Sequence, residues 1–120
     1  MISGERYVVL GFASARSAWF SDLARLATAG SVPIEFVKSV GAEETRVRLA
    51  SGRSFSALLV DGGLPSVDRD LLDEARRSGA AVFVVADPRV IRDWDALGAT
   101  VVLARDFSVD DLITALRGMW

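Results

Sequence analysis

Five short apolar runs recur along the chain at regular spacing: RYVVLGFA from Arg6, VPIEFVKSV from Val32, FSALLVD from Phe55, AVFVVAD from Ala81 and ATVVLAR from Ala99. Four of them are almost unbroken instead of alternating with polar residues. That is the pattern of parallel strands covered on both faces. The second is interrupted by Glu35 and Lys38, as at the edge of a sheet.

Helical patterns fill the intervals. Trp19, Phe20, Leu23, Leu26 and Ala27 fall on one face of a helix ending at Gly30; Val67, Leu71, Leu72 and Ala75 repeat the period up to Gly79. Val90, Ile91, Trp94 and Leu97 mark another helix, closed by Gly98, with Asp87 as its cap and Pro88 opening its first turn. The last runs through Val109, Leu112, Ile113 and Leu116, and Ser108 with Asp111 three residues on has the spacing of a capping box. GAEETRVRLASG is a weaker helical segment, since Val47 has few apolar companions. Strand and helix alternate five times with short connections. This predicts one α/β domain over residues 1–120, a doubly wound parallel sheet with right-handed crossovers and helices on both faces. Ligands and chemistry in such sheets gather at the carboxyl ends of the strands.

Composition limits that chemistry. The chain has no cysteine and no histidine, which removes thiolate metal sites, most zinc chemistry and every Ser-His or Cys-His mechanism. Carboxylates, arginines, hydroxyls and the single lysine, Lys38, are the reactive groups left, so an enzyme is not expected. Fourteen basic against sixteen acidic residues leaves a net charge of −2 and no basic footprint for nucleic acid. No apolar run approaches the roughly 20 residues of a membrane span, and MISGERYVVLGF lacks a signal-peptide pattern. The expected location is the cytoplasm.

The strand ends carry a resemblance. LLVDGGLP is similar to the third-strand segment of response-regulator receiver domains, with Asp61 at the phosphoacceptor position and Leu64 and Pro65 in the following turn. GATVVLARDF resembles the fifth-strand segment, with Gly98, Ala99 and Phe107 in place. The resemblance covers essentially the whole chain and implies a flavodoxin-like fold of strand order 2-1-3-4-5.

Other family positions are changed. Gly11 and Phe12 stand where the family has two acidic Mg²⁺ ligands, Ala86 where it has a hydroxyl, Arg105 in place of its lysine, Val102 in place of its switch aromatic and Asp106 in place of its proline. A phosphoryl transfer needs its charge neutralised, usually by Mg²⁺, and one carboxylate holds Mg²⁺ weakly or not at all. No resident cofactor is expected. An arginine is also no equivalent of a compact ammonium.

Asp61 is thus read as a vestigial phosphoacceptor, bonding the Gly62-Gly63 turn or pairing with Arg105; residual phosphorylation is the alternative. Asp106 is read as an exposed loop residue or a partner of Arg105. Ser14, Ser17 and Arg16 lie in the loop after the first strand, where helix capping competes with an anion-binding role. Trp19 is assigned to the core, while Ile91, Trp94, Val102 and Trp120 are assigned to an interface. Receivers use the fourth helix, fifth strand and fifth helix for dimerisation and output partners, so the resemblance implies a protein partner or a homodimer there. The expected role is a phosphorylation-independent interaction module, either free-standing or the N-terminal domain of a larger protein such as a MinD/ParA-like ATPase of pilus assembly or septum placement. A conventional receiver phosphorylated on Asp61 and a small-ligand-binding flavodoxin-like module are the alternatives.

Overall fold

A computed structural model describes residues 6–119. The five apolar runs form β1 (Tyr7–Phe12), β2 (Ile34–Ser39), β3 (Ala57–Asp61), β4 (Ala81–Val85) and β5 (Val101–Leu103). All pair in parallel in one sheet of order β2-β1-β3-β4-β5. Strand order reverses between β1 and β3. The switch point therefore lies at the carboxyl ends of these two strands, beside Asp61.

The helices are α1 (Ala18–Thr28), α2 (Ala42–Leu49), α3 (Arg69–Arg77), α4 (Trp94–Leu97) and α5 (Val109–Arg117). Local chemistry explains where most of them start. Ser108 Oγ accepts the Asp111 N–H at 3.1 Å while Asp111 Oδ2 accepts the Ser108 N–H at 3.0 Å, which is the expected capping box. Asp68 accepts the Leu71 N–H at 3.0 Å and starts α3. α2 starts at Gly41 without a side-chain cap; there the buried Thr45 hydroxyl donates back to the Gly41 carbonyl at 2.8 Å and lies 2.6 Å from Ser39 Oγ.

The fourth helix departs from expectation. It begins at Trp94, capped by Asp93, whose side chain accepts the Ala96 N–H at 3.1 Å. Residues 86–93 are irregular, and Asp87 caps no helix. Two effects act together: Val90 and Ile91 are β-branched and weak helix formers, and the Asp87 carboxylate is engaged by Arg89 two residues on and by Arg105 beyond β5.

The core has two layers, one on each face of the sheet. Trp19, Phe20 and Leu23 of α1 and Leu112, Ile113 and Leu116 of α5 pack against Val9, Leu59 and Phe83. Leu49 of α2, Leu71, Leu72 and Ala75 of α3 and Trp94 of α4 pack against Leu10, Phe12, Leu58, Val60 and Val82 on the other. Each fully buried Leu or Phe contributes about 1.5–3 kcal/mol by leaving water. Trp94 corrects the interface assignment, because it is 6% exposed and belongs to the second layer, with the Arg92 guanidinium 4.7 Å from its ring centre. A short helix capped by Asp93 turns the indole inward. Trp120 lies outside the described residues. Among the described residues no helix is long and apolar enough to cross a membrane.

Candidate functional site

Three strand ends converge at the carboxyl edge. Asp61 closes β3 in register with Val85, the last residue of β4. Ala86 N–H donates to the Leu103 carbonyl at 2.9 Å, tying the end of β4 to that of β5. Asp87 and Arg105 each follow that tie by one or two residues. Their side chains and that of Asp61 meet.

The centre of the cluster is a single nitrogen. Arg105 Nη2 lies 2.8 Å from Asp61 Oδ1 and 3.3 Å from Asp87 Oδ2. Asp61 Oδ1 also accepts the Gly63 N–H at 2.9 Å, so both structural roles foreseen for Asp61 are filled by one oxygen. Asp87 is held from its other side by Arg89, whose Nε and Nη2 donate to Oδ1 and Oδ2 at 3.1 and 2.9 Å, and whose backbone N–H donates to Oδ1 at 2.9 Å. Asp87 and Asp61 are only 4% and 8% exposed, so these arginines are their main compensation. The Arg89 guanidinium, its N–H and the Arg105 charge hold the Asp87 carboxyl well below the usual carboxylate range. The same pairing pushes the Arg89 guanidinium up.

The two glycines after Asp61 are packing requirements. A methyl group at Gly63 would sit 2.5 Å from Asp87 Oδ2 and 3.3 Å from Asp61 Oδ1; one at Gly62 would meet the Val85 carbonyl at 2.9 Å and the Trp94 ring at 3.0 Å. The backbone between the carboxylates has no room for a side chain. That closeness allows both acids to reach one guanidinium.

The other expected pocket residues divide. Ala86, Arg105 and Asp106 line one shallow hollow with Pro88 and Ala104, and Asp106 is exposed. Gly11 and Phe12 instead go into the core, which corrects their assignment to the pocket. The missing side chain of Gly11 points at the rings of Phe36 and Phe20, and Phe12 packs in the second layer. β1 is central and covered on both faces, so consecutive residues at its end enter opposite core layers. Asp87, read from the sequence as a helix cap, and Arg89, to which the sequence gives no role, are both part of the site. Their signal was Asp with Arg two positions later, on a segment whose β-branched residues disfavour the helix assigned to it.

The arrangement does not fit Mg²⁺. A guanidinium nitrogen sits between the two carboxylates that approach each other, and Gly11 and Phe12, at the positions of the acidic pair, face the core. The positive charge beside Asp61 comes from Arg105, and Asp61 Oδ1 carries two hydrogen bonds, from Arg105 and from the Gly63 N–H.

No family model matches the chain, and no curated protein matches it. Solved structures do. The chain is similar to the beryllofluoride-activated NtrC receiver domain, at 24% identity over 92% of this chain and 90% of that one, with a TM-score of 0.62. It is similar to the response regulator TrrA of Thermotoga maritima in complex with Mg²⁺ and BeF, at 15% identity over 95% and 99% of the two chains and a TM-score of 0.71. A protein of Burkholderia pseudomallei described as pilus assembly-related matches at 19% identity over 98% and 93%, with a TM-score of 0.68. By these likenesses and by its own strand order, the chain has the fold of response-regulator receiver domains.

Proposed function

We propose that the chain is a receiver-like protein-interaction module that holds one state without phosphorylation and catalyses no reaction of its own. The observation carrying this reading is Arg105 Nη2 bridging Asp61 and Asp87. In a receiver of the ordinary kind the charge at this place changes with the phosphoryl group. Here the Arg105 guanidinium ties the end of β3 to the segment after β4 through two carboxylates with no phosphoryl group present, so the joint does not wait on a signal. The surface beside that segment supplies the contact. Ile91 is 97% exposed and Val102 is 44% exposed, on the side where receivers meet their partners, and a protein partner or a second copy would cover them. This reading puts the module in the bacterial cytoplasm, in an assembly or localisation complex; the likeness to the pilus assembly-related protein is one of fold.

Acetyl phosphate with Mg²⁺, followed by intact mass and peptide mapping, tests the reading. No mass gain at Asp61 is expected, and an acid-labile gain of one phosphoryl group there would overturn it. Oligomeric state and partner capture for wild type and Ile91→Asp test the surface.

A further inference from the structure

The structure assigns a second binding site to the other edge of the molecule, and we propose that it takes a small amphiphilic anion, specifically a linear aliphatic carboxylate. A groove of about 700 Å³ runs between α1 and the edge strand β2. Phe20, Ala24 and Ala29 of the first helical segment form one wall, and Lys38, Val40 and Glu44 form the other. The small side chains of Ala24, Thr28 and Ala29 leave the trough open, and Val40 is 58% exposed along it. The volume falls within the range of small-molecule sites, roughly 300–1,000 Å³, and the lining has their usual character of apolar walls with a few polar groups.

Charge selects the ligand. Arg25 is paired with Asp22 at 3.1 Å. Both oxygens of Glu44 are engaged, Oε1 by the Val40 N–H at 3.1 Å and Oε2 by Arg48 at 3.2 Å. These contacts hold the Glu44 carboxyl below the usual carboxylate range, so it is ionised and committed. Lys38, the single lysine of the chain, forms no ion pair among the described residues. Of the three charged side chains that line the groove, Arg25, Lys38 and Glu44, only the Lys38 ammonium has no ion pair among the described residues. A carboxylate head would meet it while a hydrocarbon tail covers Ala24, Ala29 and Val40 above the buried Phe20 ring. The trough follows α1, whose 11 residues span about 16 Å at 1.5 Å per residue, and this length favours an unbranched chain over a compact ring.

The site shares no residue with the Asp61 cluster and stands whether or not Asp61 is ever phosphorylated. Laurate, kept below its micelle concentration, is the probe; calorimetry and amide chemical shifts are the readouts. Saturable binding with shifts confined to α1, β2 and the start of α2 is expected. Lys38→Glu, a substitution of an exposed residue, should weaken it about tenfold or more by turning an attraction into a repulsion. Ala24→Phe should abolish it by filling the trough, and Lys38→Glu decides the matter if that variant does not fold. Dodecyltrimethylammonium, with the same tail and the opposite head, should bind at least about tenfold more weakly than laurate. Absence of saturable laurate binding, equal binding of the cationic amphiphile, or unchanged affinity in Lys38→Glu would each overturn the proposal.

Discussion

Arg105 donates to the Asp61 carboxylate at 2.8 Å across 44 residues of sequence, and the donating nitrogen is the one that also faces Asp87. This makes the guanidinium the joint between the end of β3 and the segment leaving β4. Removing it leaves two nearly buried carboxylates facing each other. Arg105 is itself partly exposed, so solvent softens the loss, and Arg105→Ala is expected to lower unfolding stability by about 1–2 kcal/mol in urea titrations. Because a single nitrogen serves both acids, Arg105→Lys should keep more than half of that stability.

Acid should undo the same joint. Asp87 titrates well below an unfolded carboxyl, whose ordinary value is about 3.9, chiefly because of Arg89. Between those two values the unfolded chain binds the proton and the folded one does not. The contribution of Asp87 is thus complete above the unfolded value and is lost as pH falls toward the folded one. Urea midpoints measured from pH 7 down to pH 2.5 should drop steeply below about pH 4.5 in the wild type. Asp87→Asn should flatten that drop while being less stable at pH 7.

Rebuilding the acidic pair should not rebuild a metal site. A side chain at Gly11 runs into the Phe36 ring, and Phe12 is 2% exposed in the second core layer. Gly11→Asp together with Phe12→Asp would place two carboxylates in apolar packing and leave a cavity where the phenyl ring was. A loss of at least about 3–5 kcal/mol is expected in thermal unfolding, and calorimetry with Mg²⁺ should show no binding.

Gly63→Ala tests the closeness of the two acids directly. Its methyl group would press on the Asp87 carboxylate, and a cost of about 1–3 kcal/mol is expected from urea midpoints. The same change on the open Gly41, where a methyl group meets nothing within 4 Å, should cost less than about 0.5 kcal/mol.

Ile91 and Trp94 should separate contact from stability. Ile91→Asp alters a side chain that is almost wholly in water, so stability should stay within about 0.5 kcal/mol while partner binding or self-association falls. Trp94→Ala should instead cost about 3–5 kcal/mol in unfolding, as expected of a ring in the core.

Local patterns were enough for much of this molecule. The apolar runs, four continuous and one interrupted, located all five strands, the period of Leu71, Leu72 and Ala75 marked α3, and Ser108 with Asp111 marked the start of α5, because each rests on neighbours a few residues apart. The chain by itself also placed Asp61 at a strand end followed by an obligatory turn. Tertiary structure decided the rest. Whether Asp87 capped a helix or joined Arg105 depended on the tie between Ala86 and Leu103, which brings two segments together across the sheet. Whether Trp94 faced water depended on one turn of helix and on the cap at Asp93. Helical periodicity fixes which residues share a face, but the direction of that face is set by strand pairing over long sequence separations. At the edge of this sheet, such pairing brings together two acids and an arginine that lie far apart in the chain.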